Sequence, residues 1–464
     1  MSEKCCDEQY FERCEEEKEM QEKLVITGGN ELSGEIEVAG AKNAVLKQMA
    51  GALLFAGPVC IKNVPNLADV YSMLEVLEFL GARVKFKSRV LEIDSSDISG
   101  SFAPHELVNK LRASFNVMGP LLGRFKEAKV AMPGGCQIGL RRLDLHEKGL
   151  RALGAEIKLD QGYIIATAPR LIGTRIYLDL PSNGATENIM MASVLSDGET
   201  IIENAACDPE ILDLANFLNS MGAKIHGAGT HQISITGVKQ KDLHTTEYNA
   251  ISDRLEASTY LIAAVSTGGS ITLKNVEPEH MQATLSKLKE SGVMIQTLGP
   301  KVLKASVKNK KLKAVDVNTG WYPGFPTDVQ ALITVPLTVA NGTSTIKETI
   351  YEERFAHATE LVKMGADIKV SNNVAVVKGV EKLSGTKIVA ADLRGGAALV
   401  IGALMAEGQT EVKGLEHIDR GYENLAEKLD SLGAKITRTK SISGEVSEEE
   451  NLKENRKIDT QKIK

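Results

Sequence analysis

The chain has 464 residues, more than one hydrophobic core normally organises, so at least two domains are expected. The apolar content of 43% and charged content of 25% are typical of a globular protein, and the net charge of −6 argues against general affinity for nucleic acid. The sequence has no apolar run long enough to cross a bilayer and too few cysteines for a disulfide framework, so we expect a cytosolic protein without a membrane partner.

Both ends of the chain are polar and rich in charge. Residues 1–23 hold nine acidic and four basic side chains and no apolar stretch of the kind found in secretion signals. We predict that residues 1–23 form a disordered acidic leader and residues 441–464 a disordered tail. Cys5 and Cys6 lie in the leader, and we interpret them as free thiols because no matching Cys/His pair follows.

A short pattern recurs six times between these ends: an apolar residue or Ser, then Gly, usually Ala, any residue, and Val or Ile. Its glycines are Gly81, Gly154, Gly222, Gly292, Gly365 and Gly433, which lie 73, 68, 70, 73 and 68 residues apart. Each glycine follows an amphipathic run and precedes a short alternating one, the pattern of a helix, a glycine stop at positive φ and a strand. We predict six repeats of about 70 residues, each with two helices and about four strands.

A second joint recurs out of phase with the glycines. Its central residues are Lys42, Arg112, Gly184, Arg254, Asp328 and Arg394, which lie 70, 72, 70, 74 and 66 residues apart. Small or capping residues around each one predict helix starts. Since helix N-termini attract anions, the Lys and Arg residues at four of the six joints favour a cleft for an anionic ligand; a purely architectural repeat is the alternative.

The repeats predict two pseudo-symmetric domains of three units each. We place the first domain at residues 43–251, and we build the second from residues 24–42 and 252–440. In this division the first strand, from about Leu24, pairs with the second domain.

Residues 133–139, Pro-Gly-Gly-Cys-Gln-Ile-Gly, predict a flexible loop within the first domain. Arg141 and Arg142 follow it, and a thiol beside cations can have a lowered pKa and act as a nucleophile or acid. Cys136 is therefore a candidate reactive residue, whereas a small side chain in a surface turn is the structural alternative. The sequence has no cysteine-protease, phosphate-loop or zinc-binding motif, so we predict no metal and no cofactor.

Six segments, in register over residues 24–438, together resemble the UDP-N-acetylglucosamine 1-carboxyvinyltransferase family of enolpyruvyl transferases. They are Ala-Lys-Asn-Ala at 41–44, Leu-Arg-Ala-Ser at 111–114, the loop at 133–139, Phe-Pro-Thr-Asp at 325–328, Asp-Leu-Arg at 392–394 and His-Ile-Asp-Arg-Gly-Tyr at 417–422. The resemblance implies an α/β fold of two inside-out α/β barrels, each of three βαβαββ repeats. It also implies transfer of an enolpyruvyl group from phosphoenolpyruvate to the 3'-hydroxyl of UDP-N-acetylglucosamine, with release of phosphate, as the first committed step of peptidoglycan synthesis.

The resemblance also implies roles for individual residues. Cys136 would be the general acid, would form a covalent adduct with phosphoenolpyruvate and would be alkylated by fosfomycin; Asp328 would be the base, and Lys42 would take part in catalysis. The residues implied to bind phosphoenolpyruvate are Lys42, Asn43, Arg141, Arg354, Arg394 and Arg420. The residues implied to bind UDP-N-acetylglucosamine are Arg112, Arg141, Arg142, Leu143, Asp144, Leu145, Leu180, Pro181, Ser182, Asn183, Asp328 and Ile350. These two small molecules are the only partners implied, and the sequence indicates no oligomeric state.

Several of these residues have structural alternatives. Asp328 could cap its own helix, and Arg354 could form a surface ion pair with Glu352 or Glu353. The Asp and Arg residues at 253–254, 392–394 and 419–420 could form structural pairs, and His146 and His417 could be packing residues.

The chain also departs from the usual family pattern. Lys47, Arg142 and Ser252 stand where Pro is common, Asn183 where Val is common, and Gly395 where Ala is common. Two other functions remain as alternatives: the shikimate-pathway enolpyruvyl transferase, which lacks a cysteine loop of this kind, and a catalytically silent paralogue that binds the UDP-sugar.

Overall fold

The computed structural model describes residues 20–133, 143–308 and 311–442 of the chain. The helices in these ranges are α1 (Lys42–Gly51), α2 (Ala68–Phe79), α3 (His105–Val108), α4 (Met118–Phe125), α5 (Asp144–Ala152), α6 (Asn183–Ser193), α7 (Pro209–Ser220), α8 (Arg254–Ser266), α9 (Gln282–Glu290), α10 (Thr327–Leu337), α11 (Ala356–Lys363), α12 (Leu393–Met405), α13 (Leu415–Ile418) and α14 (Leu425–Ser431). Short 3₁₀ helices cover Ala52–Leu54, Arg112–Val117, Gln240–Asp242 and Pro278–Met281.

The strands of the first half are β1 (Met20–Thr27), β2 (Ser33–Glu37), β3 (Pro58–Lys62), β4 (Arg83–Lys87), β5 (Val90–Asp94), β6 (Phe102–Ala103), β7 (Glu127–Ala131), β8 (Glu156–Asp160), β9 (Tyr163–Thr167), β10 (Arg175–Tyr177), β11 (Glu199–Glu203), β12 (Lys224–His226), β13 (Gln232–Thr236) and β14 (Glu247–Asn249). Those of the second half are β15 (Ser270–Lys274), β16 (Val293–Gly299), β17 (Val302–Val307), β18 (Val317–Asn318), β19 (Thr343–Lys347), β20 (Asp367–Ser371), β21 (Val374–Lys378), β22 (Lys387–Val389), β23 (Gln409–Lys413) and β24 (Lys435–Ile442).

These strands form six four-stranded sheets with one common plan. The orders are β14-β3-β5-β4, β6-β7-β9-β8, β10-β11-β13-β12, β2-β15-β17-β16, β18-β19-β21-β20 and β22-β23-β1-β24. In each sheet the first pair in this order is parallel and the two following pairs are antiparallel. The six repeats predicted from the glycine spacing are therefore six copies of one structural unit.

The six repeat glycines have the predicted backbone conformation. Gly81, Gly154, Gly222, Gly292, Gly365 and Gly433 have φ angles of 102, 96, 103, 103, 97 and 98°. Each follows the last turn of a helix, where a residue with a Cβ atom would be strained. The glycine stop is thus a local requirement of the chain.

The second joint also lies at helix starts. The helices α1, α6, α8, α10 and α12 begin there, while the joint at Arg112 begins a 3₁₀ helix that leads into α4. Side-chain caps support three of these starts: Ser182 accepts from the Ala185 amide, Asp253 from two amides of α8, and Asp392 from two amides of α12.

The buried apolar side chains form two separate clusters. The first runs from Val45 to Ala250. The second combines residues 24–38 with residues 255–436. The chain passes between the two clusters twice at one place, where the Ala41 amide donates to the Ile251 carbonyl at 2.7 Å. Two adjacent chain crossings therefore connect the cores.

The first strand begins earlier, and the last strand ends later, than the sequence predicted. β1 pairs with β23 and β24, in the half of the chain where the sequence division placed it, but the ladder with β24 extends from Met20 to Thr27 and reaches Ile442. Residues 20–23 and 441–442 are therefore strand and do not belong to disordered ends, because each end supplies the hydrogen-bonding partner of the other. Residues 1–19 and 443–464, with Cys5 and Cys6, lie outside the described residues. None of the helices in the described ranges has the length and apolar character needed to cross a membrane.

Candidate active site

A buried carboxylate of the first core, that of Asp69 on α2, pairs with two predicted ligand residues. Lys42, the first residue of α1, donates its Nζ to Asp69 Oδ2 at 2.9 Å. Arg420, after α13, donates its Nε to Asp69 Oδ1 at 2.9 Å. Asp69 is only 3% exposed. The sequence did not single out Asp69, because an aspartate in the first turn of a helix is ordinary and its partners are distant in the chain.

The environment of Lys42 makes its ammonium sensitive to nearby charge. Burial lowers the pKa of Lys42, the Asp69 carboxylate opposes this effect, and the nearby guanidinium of Arg394 adds to it. A bound anion would supply the negative charge that this group of cations lacks. The arrangement therefore favours an anionic ligand between the cores.

Asp328, in the first turn of α10, lies between two arginines. Its Oδ1 is 2.6 Å from Arg354 Nη2, and its Oδ2 is 3.9 Å from Arg394 Nη2. Arg354 also donates to Thr327 Oγ1 at 3.0 Å and is only 5% exposed. The alternative of a surface ion pair for Arg354 is therefore wrong: its side chain is buried and pairs with the candidate base.

Arg394 and Arg354 each keep a buried donor that no described residue satisfies. Arg394 Nη1 donates to the Tyr422 hydroxyl at 2.9 Å, and that hydroxyl also lies 2.9 Å from Thr259 Oγ1. The Nε atoms of both arginines are buried and have no hydrogen-bond partner in the part of the chain that the structure describes. Because buried guanidinium N–H groups are normally satisfied, these two donors indicate a place for ligand oxygens.

Glu348 organises the approach to Asp328, and the sequence did not identify it. It is fully buried and accepts from Thr319 Oγ1 at 2.8 Å and from Thr327 Oγ1 at 2.9 Å. It also accepts from the Ile350 amide at 2.8 Å. The predicted ligand residue Ile350 is thereby held near the start of α10. A lone Glu after a strand gives no sequence signal for such a role.

In the three Asp–Arg segments, the aspartate and the arginine make ion pairs or hydrogen bonds with different groups. Arg254 pairs with Asp208 at 2.8 Å and Glu210 at 3.0 Å, while Asp253 caps α8 and accepts from the Lys42 amide at 3.2 Å. Asp392 likewise caps α12, whereas the guanidinium of Arg394 reaches Tyr422.

The third segment follows the same rule. Asp419 pairs with Arg438 at 2.6 Å, and Arg420 pairs with Asp69. Since Arg254 pairs with two buried carboxylates, those of Asp208 and Glu210, its role is structural.

Other predicted residues meet in the first core. Arg112 begins its 3₁₀ helix, and Leu143, Asp144 and Leu145 form the start of α5. Leu180, Pro181 and Ser182 lead into α6, whose first residue, Asn183, hydrogen-bonds the Asp208 carboxylate. These residues are exposed or half-buried, as a ligand surface requires.

His146 joins these segments. Its Nδ1 lies 3.1 Å from the Asn188 side-chain amide, and its ring packs edge-on against Phe115. Burial, together with the nearby cations Arg112 and Lys47, lowers the pKa of His146 to about 3, so the ring is neutral at physiological pH. The structural interpretation of His146 agrees with this packing.

The structure thus brings five predicted residues together between the cores. They are Lys42, Asp328, Arg354, Arg394 and Arg420. Asn43 lies beside Lys42 on α1, and its carbonyl accepts from Lys47 Nζ at 3.4 Å. Cys136, Arg141 and Arg142 lie outside the described residues, between Pro133 and Leu143.

Known proteins resemble this chain over nearly its whole length. The sequence model of the family described as EPSP synthase (3-phosphoshikimate 1-carboxyvinyltransferase) matches residues 26–429. UDP-N-acetylglucosamine 1-carboxyvinyltransferase 2 of Carboxydothermus hydrogenoformans is 52% identical over 417 residues, which are 90% of this chain and 99% of that protein. UDP-N-acetylglucosamine 1-carboxyvinyltransferase of Gloeobacter violaceus is 50% identical over 416 residues, 89% of this chain and 90% of that protein.

Solved structures share the fold. The enolpyruvyl transferase NikO from Streptomyces tendae superposes with a TM-score of 0.84 at 25% identity, covering 91% of this chain and all of that one. EPSP synthase from Acinetobacter baumannii gives a TM-score of 0.70 at 18% identity, covering 90% of this chain and all of that one, and supports the mixed α/β fold alone. With the sequence matches, these likenesses show that the chain belongs to the enolpyruvyl transferase family of EPSP synthase, and within it to the UDP-N-acetylglucosamine 1-carboxyvinyltransferases.

Proposed function

We propose that this protein transfers the enolpyruvyl group of phosphoenolpyruvate to the 3'-hydroxyl of UDP-N-acetylglucosamine in the cytosol, the first committed step of peptidoglycan synthesis. The observation that carries the proposal is the group of cations around Asp328 and Asp69, which comes from both cores. It includes two buried guanidinium Nε atoms that have no partner among the described residues. Phosphoenolpyruvate offers a phosphate and a carboxylate, the planar or multiple oxyanions that guanidinium groups bind best.

The donor would bind between the cores. Lys42 would hold its phosphate, and Arg354, Arg394 and Arg420 would share the phosphate and carboxylate oxygens. Asn43 and Arg141 complete the proposed set. The Asp69 carboxylate keeps Lys42 and Arg420 side by side while their charges face the ligand. Because these ligands belong to both cores, donor binding favours their approach.

The acceptor would bind along the first core and reach Asp328. Arg112, Leu143, Asp144, Leu145 and the segment 180–183, together with Arg141 and Arg142, would contact the UDP-sugar, and Ile350 would contact it from the second core. Asp328 would accept the proton of the 3'-hydroxyl as its oxygen attacks C2 of phosphoenolpyruvate. The ion pair with Arg354 fixes the orientation of this carboxylate.

The chemistry would be an addition followed by an elimination. As the C2–O bond forms, Cys136 would deliver its proton to C3 and give a tetrahedral ketal that still carries phosphate. Loss of a C3 proton and departure of phosphate would then restore the double bond. The role of Cys136 rests on the family resemblance, and the same thiol would form the covalent adduct and react with fosfomycin.

The two-core architecture suits this chemistry. We infer that each core is an inside-out α/β barrel of three βαβαββ units, with residues 43–251 in one domain and residues 24–42 and 252–440 in the other. The strand residues 20–23 and 441–442 extend the second domain at both ends. The three four-stranded sheets of one plan in each core support this division.

Phosphate release tests the function directly. The full chain is incubated with phosphoenolpyruvate, with and without UDP-N-acetylglucosamine, and phosphate is measured; no release above the control without acceptor would refute the enzyme. Shikimate 3-phosphate in place of the UDP-sugar tests the other acceptor. Binding of UDP-N-acetylglucosamine without turnover would identify a silent paralogue.

Matched variants connect the activity to the described site. Arg354→Met removes a charged donor to the ligand, a change worth about 3 kcal/mol, and should lower kcat/KM about 100-fold. Lys382→Met removes an exposed lysine that pairs with Glu407 and should leave kcat/KM unchanged. Equal effects of both substitutions would contradict the proposed location of the site.

A further inference from the structure

A buried charge network lies inside the first core, one helical turn behind its predicted ligand residues. Lys47 of α1 places its Nζ 3.1 Å from Glu187 Oε2 and 3.3 Å from Oε1, on α6. Asn116, in the 3₁₀ helix after Arg112, donates its Nδ2 to the same Oε2 at 2.7 Å. One carboxylate therefore connects the three helices that begin at the second joint in this core.

The positions in the sequence explain why these three side chains meet. Lys47 lies five residues after the helix start at Lys42, Asn116 four residues after Arg112, and Glu187 four residues after Asn183. Four or five residues are little more than one turn of a helix. The network therefore lies just behind the ends of the three helices that face the proposed ligand.

Packing of the fold does not require charge at these positions. The corresponding residues of α8, α10 and α12, five after each helix start, are Thr259, Leu332 and Ala398, so the second core has no charge there. Replacing a buried ion pair by apolar residues is often neutral or stabilising. Glu187 is only 2% exposed, and burial raises its pKa while Lys47 and Asn116 oppose this effect. A function other than packing would explain a buried charge that the repeated fold does without.

The network also borders the segments proposed to bind the UDP-sugar. Lys47 and Arg112 both act on His146, at the start of α5. The His146 ring packs against the first turn of α6, since a Cβ atom added at Gly184 would lie 3.1 Å from its Cε1. A movement of Lys47 or Glu187 would therefore change the positions of Arg112 and of the segments 143–145 and 180–183.

We propose that Lys47 is a positioning residue for the nucleotide-sugar: with Glu187 and Asn116 it fixes the relative positions of the helix starts that carry Arg112 and Asn183. The identity of the ligand rests on the proposed function. The donor side has its own anchors, because Asp69 holds Lys42 Nζ and Asp253 accepts from the Lys42 amide. Lys47 also contacts this side, but through a long hydrogen bond of 3.4 Å to the Asn43 carbonyl. Loss of Lys47 therefore affects UDP-N-acetylglucosamine far more than phosphoenolpyruvate.

The experiment uses the full chain and the substitutions Lys47→Met, Glu187→Gln and both together. We expect Lys47→Met to raise the Kd for UDP-N-acetylglucosamine, measured by calorimetry, about tenfold. The KM for phosphoenolpyruvate should change less than threefold. Lys47→Met alone leaves the buried Glu187 carboxylate without its cation. The double variant removes that carboxylate as well, so its resistance to urea should recover. The Kd of the double variant for UDP-N-acetylglucosamine should stay high, because the ion pair between α1 and α6 is still missing.

The stability control is Lys428→Met, which removes the Lys428–Glu256 pair of 2.6 Å in the second core. It should lower the urea midpoint without changing the Kd for UDP-N-acetylglucosamine. The proposal is overturned if Lys47→Met leaves that Kd within twofold of wild type, if the Kd recovers together with stability in the double variant, or if both substrates are affected equally. Failure of wild type to bind the UDP-sugar would instead refute the proposed function, and this inference with it.

Discussion

Replacing Asp69 by Asn would remove the negative charge of the side chain that connects the two cores and would keep its shape. Asp69 is 3% exposed and accepts from Lys42 Nζ and Arg420 Nε, each at 2.9 Å. An asparagine fills the same volume but removes the negative charge. Lys42 would then be a buried ammonium beside two guanidinium groups, Arg394 and Arg420, without its counter-charge.

The size of the effect follows from this burial. Breaking a buried ion pair by removing one partner costs about 3–5 kcal/mol. We expect the lower end, about 3 kcal/mol, because the amide oxygen can still accept one hydrogen bond and Arg420 is one-third exposed, where solvent screens its charge. Urea denaturation at pH 7 should show this loss.

The pH dependence gives a sharper test. Burial already lowers the pKa of Lys42, and Asp69 is the main opposing group, so Asp69→Asn lowers that pKa further. The free-energy cost of burying the Lys42 ammonium applies in full below the folded-state pKa of Lys42. This cost decreases as the pH rises through that pKa toward 10.5, the ordinary value for lysine. The stability difference from wild type should therefore narrow at alkaline pH. Because the ammonium form of Lys42 is the form proposed to bind the phosphate group, the alkaline limb of the kcat/KM profile should move to lower pH.

Asp419→Asn is the matched control, since Asp419 is more exposed, adjoins Arg420 and pairs with Arg438. It should leave the alkaline limb in place. An unchanged or upward-shifted limb in Asp69→Asn, with phosphate release intact, would refute the view that Asp69 maintains the charge of Lys42.

Three further predictions concern the scaffold. Burial, with help from Arg112 and Lys47, lowers the pKa of His146 from 6.5 to about 3. The contribution of His146 to the free energy of unfolding is therefore complete above pH 6.5 and falls by about 1.4 kcal/mol per pH unit toward pH 3. In acid titrations of stability, His146→Gln should lack this part of the slope. Gly365 has a φ of 97°, so Gly365→Ala should lower the free energy of unfolding by about 1 kcal/mol in urea without changing kcat, and a stabilising effect would contradict the assigned conformation. Arg89 of the first core pairs with Glu423 of the second at 2.9 Å, so Arg89→Met should reduce the protection from proteolysis that UDP-N-acetylglucosamine gives, about twofold; unchanged protection would show that this pair does not support closure.

The repeated architecture could be predicted from the sequence because its signals are local. A glycine after a helix and a small or capping residue before the next one each act within one turn, and six copies at one spacing make chance an inadequate explanation. The sequence division also assigned the first strand to the second domain, where it pairs with β23 and β24. The ends of β1 and β24 could not be placed, because Met20 and Ile442 are strand residues only through each other.

The candidate site was predicted less completely, for a physical reason. The sequence and the resemblance named the cations, but their partners lie outside the local sequence, 27 positions away for Lys42 and Asp69 and 351 for Arg420 and Asp69. Asp69 and Arg420 are separated by 351 positions, and no local pattern marks Asp69 as their meeting point. Glu348 is similar: its partners are hydroxyls and amides, which carry no charge signal. Arg354 is next to two glutamates in sequence, yet its side chain turns away from solvent toward Asp328.

Local pairing decides which cation of the repeated helix starts serves structure and which serves the ligand. Arg254 and Arg394 occupy equivalent positions on α8 and α12, and both are less than 9% exposed. Asp208 and Glu210 satisfy Arg254, whereas Arg394 keeps an Nε atom that no residue within the described ranges contacts by a hydrogen bond. Equivalent substitutions by Met should therefore have opposite profiles.

Arg254→Met strands two buried carboxylates and should reduce the free energy of unfolding by about 3–5 kcal/mol. Arg394→Met leaves Tyr422 with its Thr259 partner, so stability should fall by only about 1–2 kcal/mol, while kcat/KM falls about 100-fold or more. Urea denaturation and phosphate release, measured on the same preparations, compare the two losses. If Arg254→Met proved the more damaging to kcat/KM while remaining as stable as wild type, pairing would not be the feature that separates the two roles.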